Sequence, residues 1–293
     1  MRAAVFGKNF NDDFKDALRT FFKILKDNKV EIIIYEPYFR FISKNCTHIP
    51  TVYSTFDKAF SKDDLPDMVF SIGGDGTFLD AVSFVRNTEV PIVGINSGRL
   101  GFLANISKKE IPEALKAIFK NRFSLEERTL LEVNTDKKYF KDFNFALNEV
   151  TVLKRDSGSM ITIKVYVNGE YLNTYWADGL ILATPTGSTA YSLSLGGPIV
   201  VPGSSNFIIT PIAPHNLTVR PIVLPDNYDI TIKVSGRAEN YLLSIDSQSV
   251  VVEKNTKICI KAANFKIKTV RIEENTFFDN IRDKLMWGFD KRN

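Results

Sequence analysis

Apolar positions in the first 120 or so residues follow two periods that alternate along the chain. "RAAVFG" (2–7), "VEIIIYE" (30–36), "MVFSI" (68–72) and "VPIVGIN" (90–96) are short, nearly continuous apolar runs, the pattern of strands buried on both faces. Between them, "DDFKDALRTFFKILKDNK" (12–29) sets Phe14, Leu18, Phe21 and Leu25 at helical spacing behind Asp12 and Asp13. "KEIPEALKAIFKN" (109–121) carries Pro112 in its first turn, where a helix tolerates proline. "VFSIGGDGTFLDAV" (69–82) hands a strand to a helix through Gly73-Gly74-Asp75-Gly76. Strands alternating with helices predict a parallel sheet covered on both faces, with ligands at the carboxyl ends of its strands. "SIGGDGT" and "INSGRLGF" both fall at such ends.

Beyond about residue 124 the period shortens. "TLLEV", "ALNEVTVLK", "MITIKVYV", "YDITIKV", "SVVVE" and "KICIKA" are β-rich, several with visible alternation, and "NGE" between Val167 and Tyr171 signals a hairpin. One helix-like insert, "GSTAYSLSLGG" (187–197), interrupts the strands, and "FFDNIRDKLMWGF" (277–289) returns to helical spacing. The predicted fold class is α/β plus β. A parallel-sheet α/β domain spans 1–123 and is completed by 276–293, and an antiparallel, β-sandwich-like domain spans 124–275.

Composition narrows the function classes. The 293 residues hold 38 Lys+Arg and 34 Asp+Glu, a net charge of +4, too mild for a dedicated nucleic-acid binder. Cys46 and Cys259 lie far apart, fitting neither a disulfide framework nor a zinc site and pointing to a reducing compartment. The N-terminus lacks the long apolar core of a signal peptide. No apolar run approaches the roughly 20 residues of a membrane span. A cytoplasmic protein with no nucleic-acid or membrane partner is expected.

The Gly73–Gly76 turn poses a chemical question. Bare backbone N–H groups at a helix N-terminus favour phosphate, yet Asp75 is itself negative. An ordinary strand–helix turn with Asp75 as a cap accounts for part of the pattern. Three glycines in four residues exceed what a cap needs and let the backbone lie against phosphates. A carboxylate there holds a divalent cation or accepts the proton of an attacking hydroxyl. Either role makes the turn a phosphoryl-transfer site with a nucleotide donor. "WADGLILATPTGSTAYSLSLGGPIVVPG" (176–203) gathers Asp178, Thr186, Ser188, Thr189 and Tyr191 around glycines, a set suited to a ribose and a stacked base or, equally, to a helix cap beside a core tyrosine. Asn148 and Glu149 are polar within an apolar strand; buried, they need partners.

These residues carry a family resemblance. "GGDGT" (73–77), "NE" (148–149), "TPTGSTAYSLSLGGPIVVP" (184–202) and "SGRLGFL" (97–103) resemble the diagnostic blocks of NAD kinases, in order and spacing. The first block is shared with diacylglycerol kinases, sphingosine kinases and phosphofructokinases; the long third block is specific. The resemblance implies transfer of the γ-phosphoryl of ATP to the 2′-hydroxyl of the adenosine ribose of NAD, with Mg²⁺ or Mn²⁺ required and no protein metal ligand assigned. By resemblance, Asp75 is the catalytic base and also faces NAD with Gly76. Gly73, Gly74, Gly76 and Thr77 match the phosphate-binding turn. Asn148 and Glu149 match the adenine–ribose contacts, Thr186, Thr189, Ala190 and Tyr191 the adenosine wall, Asp178 the nicotinamide side, and Asp246 a late "DGQ"-like motif. Two departures stand out: Ser247 replaces the usual glycine of that motif, and Trp176 replaces a frequent arginine. Lys154 and Arg155 are candidates to supply the missing charge, Arg155 at the ATP phosphates, unless they form a solvated strand end. The family implies a homodimer or homotetramer. A lipid kinase of the diacylglycerol kinase type and a non-catalytic nucleotide sensor are the alternatives.

Overall fold

The computed structural model describes residues 1–287 apart from 49, 141, 156, 157, 159 and 273–275, so the end of the helical stretch predicted for 277–289 lies outside the described residues. The chain divides into two compact units, Met1–Glu127 with Ile267–Asn293, and Arg128–Lys266.

The first unit is built from β1 (Arg2–Gly7), α1 (Lys15–Asp27), β2 (Glu31–Tyr35), α2 (Glu36–Asn45), β3 (Ser54–Phe56), β4 (Met68–Gly73), α3 (Asp75–Val85), β5 (Ile92–Asn96) and α4 (Ile111–Phe119). Its strands are parallel in the order β5-β4-β1-β2-β3. All six residues of β4 and all five of β5 are buried, as continuous apolar runs require. The strand order reverses between β1 and β4, and a doubly wound sheet binds ligands beside such a switch, beyond the carboxyl ends of its strands. The Gly73–Gly76 turn leaves β4 at that point. Its core joins Val5, Ile34, Phe70, Val93 and Ile95 from the sheet with Leu18, Phe21, Leu25 and Leu115 from the helices. The helix α2 and the edge strand β3 carry weaker periodicity and are additions to the elements predicted above.

The chain leaves this unit along β6 (Phe123–Thr135). The second unit contains β7 (Phe145–Ala146), β8 (Glu149–Lys154), β9 (Ile161–Val167), β10 (Glu170–Ala177), β11 (Gly179–Ala183), α5 (Tyr191–Ser194), β12 (Asn206–Ile212), β13 (Ile222–Pro225), β14 (Ile230–Ser235), β15 (Asn240–Ile245) and β16 (Gln248–Glu253). One antiparallel sheet runs β13-β12-β11-β8-β15-β16. Opposite it, β10, β9 and β14 pair antiparallel with one another, and β14 pairs with the first half of β17 (Lys257–Ile272). Val150, Leu180 and Phe207 of the first sheet share one core with Ile163, Ile232 and Ile258 of the second, so the unit is a sandwich. The "NGE" turn joins β9 to β10 with Asn168 and Gly169 both at positive φ, 49° and 84°, the conformation of a tight hairpin. The helix-like insert is a 3₁₀ turn, Thr186–Thr189, followed by the single-turn α5.

β17 carries the chain back to the first unit, where Thr269 pairs with Ile92 of β5, and the closing helix α6 (Phe277–Leu285) belongs to that unit. A capping box starts α6: Thr276 accepts from the Asp279 N–H, and the Asp279 carboxylate accepts from the Thr276 N–H. Among the described residues no helix is long and apolar enough to cross a membrane.

Candidate functional site

In the first unit, chemistry gathers where β4 meets α3. Gly74 precedes the helix in an extended conformation (φ −93°, ψ −174°), and the Thr77 and Phe78 N–H groups turn back to its carbonyl at 3.0 and 3.2 Å. The first N–H groups of the helix lie on the open side, where the helix field favours an anion. Gly74 and Gly76 are exposed, and no atom lies within 4 Å of where a side chain would begin at either position. Thr77 is buried behind them.

Asp75 does not cap its own helix. Its carboxylate reaches the 97–104 loop after β5, where Oδ1 accepts from the N–H groups of Leu103 (3.0 Å) and Ala104 (2.9 Å) and Oδ2 from that of Phe102 (2.8 Å). The loop is shaped for this by Asn96, 2% exposed, whose amide donates to the carbonyls of Arg99 (2.5 Å) and Ala104 (3.3 Å) and accepts from the Gly98 N–H (2.7 Å). Gly101 lies against the carboxylate: a Cβ there would sit 1.9 Å from Oδ1 and 2.4 Å from Cγ. The "SGRLGFL" block is thus a backbone clamp for Asp75. One cation completes the surroundings. Lys284 of α6 lies over the Phe102 ring, its Nζ 4.2 Å from the centroid. Burial brings its ammonium down to about 8, against the opposing pull of the Asp75 and Asp283 charges.

The remaining predicted residues belong to the second unit, and strand register explains their meeting. β8 lies between β11 and β15; Glu149 pairs with Ala183, and Val150 with Ile245. The beginning of β8, the turn after β11 and the turn after β15 therefore fall side by side. Asp246 donates its N–H to the Glu149 carbonyl (3.0 Å). Its carboxylate accepts from the N–H groups of Leu147 (2.8 Å), Asn148 (2.9 Å) and Glu149 (3.0 Å). From the other side, Thr184 donates to the Leu147 carbonyl (2.6 Å) and accepts from the Gly187 N–H (3.1 Å). A Cβ on Gly187 would fall 2.1 Å from the Asn148 carbonyl oxygen, so only glycine fits. Thr186 is buried, Thr189 and Ala190 are half-buried, and Tyr191 presents an exposed ring. Ser188, fully buried, donates to the Pro185 carbonyl (2.6 Å) and accepts from the Val200 N–H (3.0 Å), tying the block into one piece.

Glu149 is the perturbed acid of this cluster. Burial, then the adjacent Asp246 charge, push its carboxyl up to about 8, against a hydrogen bond from the Tyr191 backbone. Its Oε2 is buried with no hydrogen-bond partner among the described residues. A carboxyl held neutral at pH 7 both donates and accepts.

The two departures have local structural accounts. Asp246 itself takes positive φ (48°) in its turn and Ser247 does not, so a residue other than glycine at 247 imposes no strain. Trp176, half-exposed, packs on His215 with ring centroids 4.6 Å apart and accepts the His215 N–H at its carbonyl (2.8 Å). Asp178 pairs with Lys154 at 2.6 Å, so Lys154 neutralises that acid. Arg155 is exposed just beyond β8. Sequence reasoning missed Asn96, the 102–104 amides and Lys284. A buried Asn at a strand end was the available signal for Asn96; the other two have none.

Among the described residues no three His, Cys, Asp or Glu side chains gather into a cage for a metal ion. Mg²⁺ ordinarily keeps several waters and takes ligands from substrate phosphates. The glycine turn with sparse carboxylates fits an ion that arrives on a triphosphate.

Comparison with known proteins agrees with these motifs. The ATP-NAD kinase N-terminal domain matches residues 11–123 and the ATP-NAD kinase C-terminal domain matches residues 147–272. NAD kinase of Flavobacterium psychrophilum is 46% identical over 298 residues, covering 100% of both chains. NAD kinase of Bacteroides fragilis is 45% identical over 293 residues, again covering 100% of both. Among solved structures, yeast NADH kinase complexed with NADH superposes with a TM-score of 0.87 at 26% identity, over 99% of this chain and 88% of that one. An NAD kinase from Archaeoglobus fulgidus in complex with ATP gives 0.75 at 28% identity, over 98% and 99%.

Proposed function

The chain belongs to the ATP-NAD kinase family, and we infer from that membership and from its two clamped aspartates how the residues divide the chemistry. The enzyme transfers the γ-phosphoryl group of ATP to the 2′-hydroxyl of the adenosine ribose of NAD, giving NADP. The lipid-kinase alternative gives way to relatives that match from end to end as NAD kinases.

Asp75 is the general base. A carboxylate offers about four acceptor positions; two are used on Oδ1 and one on Oδ2. The fourth, on Oδ2, takes the proton of the 2′-hydroxyl as that oxygen bonds to the γ-phosphorus and the β–γ bridging oxygen leaves with ADP. Most of the barrier reduction in such a transfer comes from positioning and charge stabilisation, and a fixed carboxylate serves the first. Gly73, Gly74, Gly76 and Thr77 hold phosphate through the N-terminus of α3, with Arg155 supplying charge to ATP. Asn148 and the neutral carboxyl of Glu149 hold the adenine–ribose region. Thr186, Thr189, Ala190 and the exposed Tyr191 ring wall the adenosine, and Asp178 serves the nicotinamide side. Asp246 acts through the 147–149 backbone it fixes. A divalent cation, Mg²⁺ or Mn²⁺, enters with ATP and offsets phosphate charge. The enzyme works in the cytoplasm as a homodimer or homotetramer, a state that light scattering on the purified protein reads directly.

The observation that carries the base assignment is the clamp: three backbone donors fix the Asp75 carboxylate beside a glycine turn open to phosphate. The test is a coupled assay of NADP formed from ATP, NAD and Mg²⁺, with Asp75→Asn alongside. Asparagine turns an N–H toward the Phe102 N–H, so a stability loss of about 2 kcal/mol accompanies the change, and circular dichroism establishes the folded fraction. Turnover per folded molecule falls by at least about 10²-fold. Near-wild-type turnover in the folded variant rejects Asp75 as the base.

A further inference from the structure

Lys284 is charged, buried at its tip and unused. Its Nζ is shielded from solvent and makes no hydrogen bond among the described residues, although an ammonium carries three donors. It lies over the Phe102 ring, 4.2 Å from Nζ to centroid. Phe102 is the residue whose N–H donates to Asp75 Oδ2. The acids that face the ammonium are Asp75, from α3, and Asp283, from its own helix. A lysine that merely anchors a helix snorkels its charge to water; this one keeps its charge inside, where unmet donors are costly. Such an arrangement is relieved when a ligand brings acceptor oxygens and negative charge.

We propose that Lys284 is a phosphate-positioning residue of the transfer site: its ammonium, stacked on Phe102 beside Asp75, receives oxygens of the ATP triphosphate and holds the chain's last helix against the glycine turn when ATP is bound. The proposal rests on the phosphoryl-transfer reading above and extends it to a part of the chain outside both matched family domains, which cover 11–123 and 147–272. It also gives the returning α6 a purpose, since the helix delivers a cation to a turn with no other basic side chain against Asp75 among the described residues.

The ammonium titrates near 8 because burial outweighs the pull of Asp75 and Asp283. Free enzyme therefore loses this charge as pH rises from 7 to 9, and affinity for the triphosphate falls with it.

The test compares Lys284→Met and Lys284→Arg with wild type by steady-state kinetics, thermal unfolding and calorimetric titration with inorganic tripolyphosphate. Lys284→Met raises the KM for ATP at least tenfold, changes the KM for NAD less than threefold, and weakens tripolyphosphate binding in parallel. Its unliganded melting temperature holds or rises, because an unpartnered buried ammonium is gone. Lys284→Arg returns the KM for ATP to within threefold of wild type. It also flattens the rise of that KM between pH 7 and 9, since guanidinium stays charged. A melting temperature lowered in Lys284→Met with ATP affinity intact makes the lysine a helix anchor and overturns the proposal. Unchanged tripolyphosphate binding overturns it whatever the catalytic result. A wild-type enzyme that binds tripolyphosphate through Lys284 but forms no NADP instead rejects the assigned reaction and leaves the lysine's role standing.

Discussion

Gly101→Ala perturbs the Asp75 clamp without touching a side chain that bears chemistry. The added Cβ would stand 1.9 Å from Asp75 Oδ1, 2.4 Å from Cγ and 2.7 Å from Oδ2, whereas ordinary contact begins near 3.4 Å. The gap must open by about 1.5 Å, the difference between 3.4 and 1.9 Å. The three N–H···O bonds now measure 2.8, 3.0 and 2.9 Å, so a displacement of that size along them breaks them. A hydrogen bond to a charged acceptor contributes about 1.5–3 kcal/mol. Three such bonds would sum to much of a domain's whole stability. Asp75 is partly solvated, so water replaces part of the loss and the loop yields before the fold does. We expect a destabilisation of about 2–4 kcal/mol.

The catalytic loss is larger in proportion. On the proposed assignment of Asp75 as base, a displacement of about 1 Å at the reacting group costs on the order of 10²-fold, so kcat/KM falls at least that far. The assay is NADP formation beside urea unfolding, with Gly98→Ala as control. Gly98 lies in the same loop and its Cβ would meet nothing within 4 Å, so that variant stays within threefold in rate and about 0.5 kcal/mol in stability. Wild-type kcat in Gly101→Ala would refute the steric reasoning. Lost stability with retained turnover would show that the clamp serves the fold and that turnover does not depend on its exact geometry.

Two further variants test the second unit. Glu149→Gln removes a carboxyl pushed up from 4.5 to about 8. Between those pH values the folded protein holds a proton that the unfolded chain has lost, so wild-type stability falls as pH rises through the window. Each pH unit is worth about 1.4 kcal/mol at most, a few kcal/mol in all, and the glutamine variant matches wild type near pH 5 and melts higher at pH 8; parallel curves of melting temperature against pH would contradict the burial argument. Ser188→Ala strips the partner of the half-buried Val200 N–H and leaves the Pro185 carbonyl without its side-chain donor, costing about 1–2 kcal/mol by urea unfolding, and a wild-type midpoint would show that the 184–200 block does not depend on that hydroxyl.

The sequence made the parallel sheet legible because β1, β2, β4 and β5 are buried on both faces and their apolar runs are unbroken. The sandwich strands with clean alternation were equally visible, such as "ITIKVYV". Less visible were α2, whose start at Glu36–Pro37 directly abuts β2, and β10, where Asn173, Thr174 and Tyr175 blur the period across a register shift. The candidate site was legible as residue types but not as partnerships. Asp75 announces itself among glycines, yet nothing local says that its carboxylate leaves its own helix for amides 27–29 residues further on. Those donors are backbone groups, and any residue except proline supplies one. Lys284 is hidden for another reason: its meaning comes from burial against Phe102, 182 positions away by residue number (284 − 102).

The same device appears in both units, and that recurrence explains why aspartate, rather than glutamate or asparagine, stands at 75 and 246. Each carboxylate accepts three consecutive backbone N–H groups, from 102–104 in one unit and 147–149 in the other. Three adjacent amides turned to one point form an anion nest. A carboxylate fills it without a competing donor, and the short aspartate stem fixes its depth. Asparagine brings an N–H against an N–H; glutamate adds a methylene and a rotamer. Fixing the backbone at 147–149 sets where the Asn148 and Glu149 side chains begin, and after burial the Asp246 charge pushes the Glu149 carboxyl up. The second clamp therefore places the Glu149 backbone and adds to the burial that raises its carboxyl. In the first unit the clamped group is the one proposed above as the base, and three backbone donors leave one acceptor position on its Oδ2.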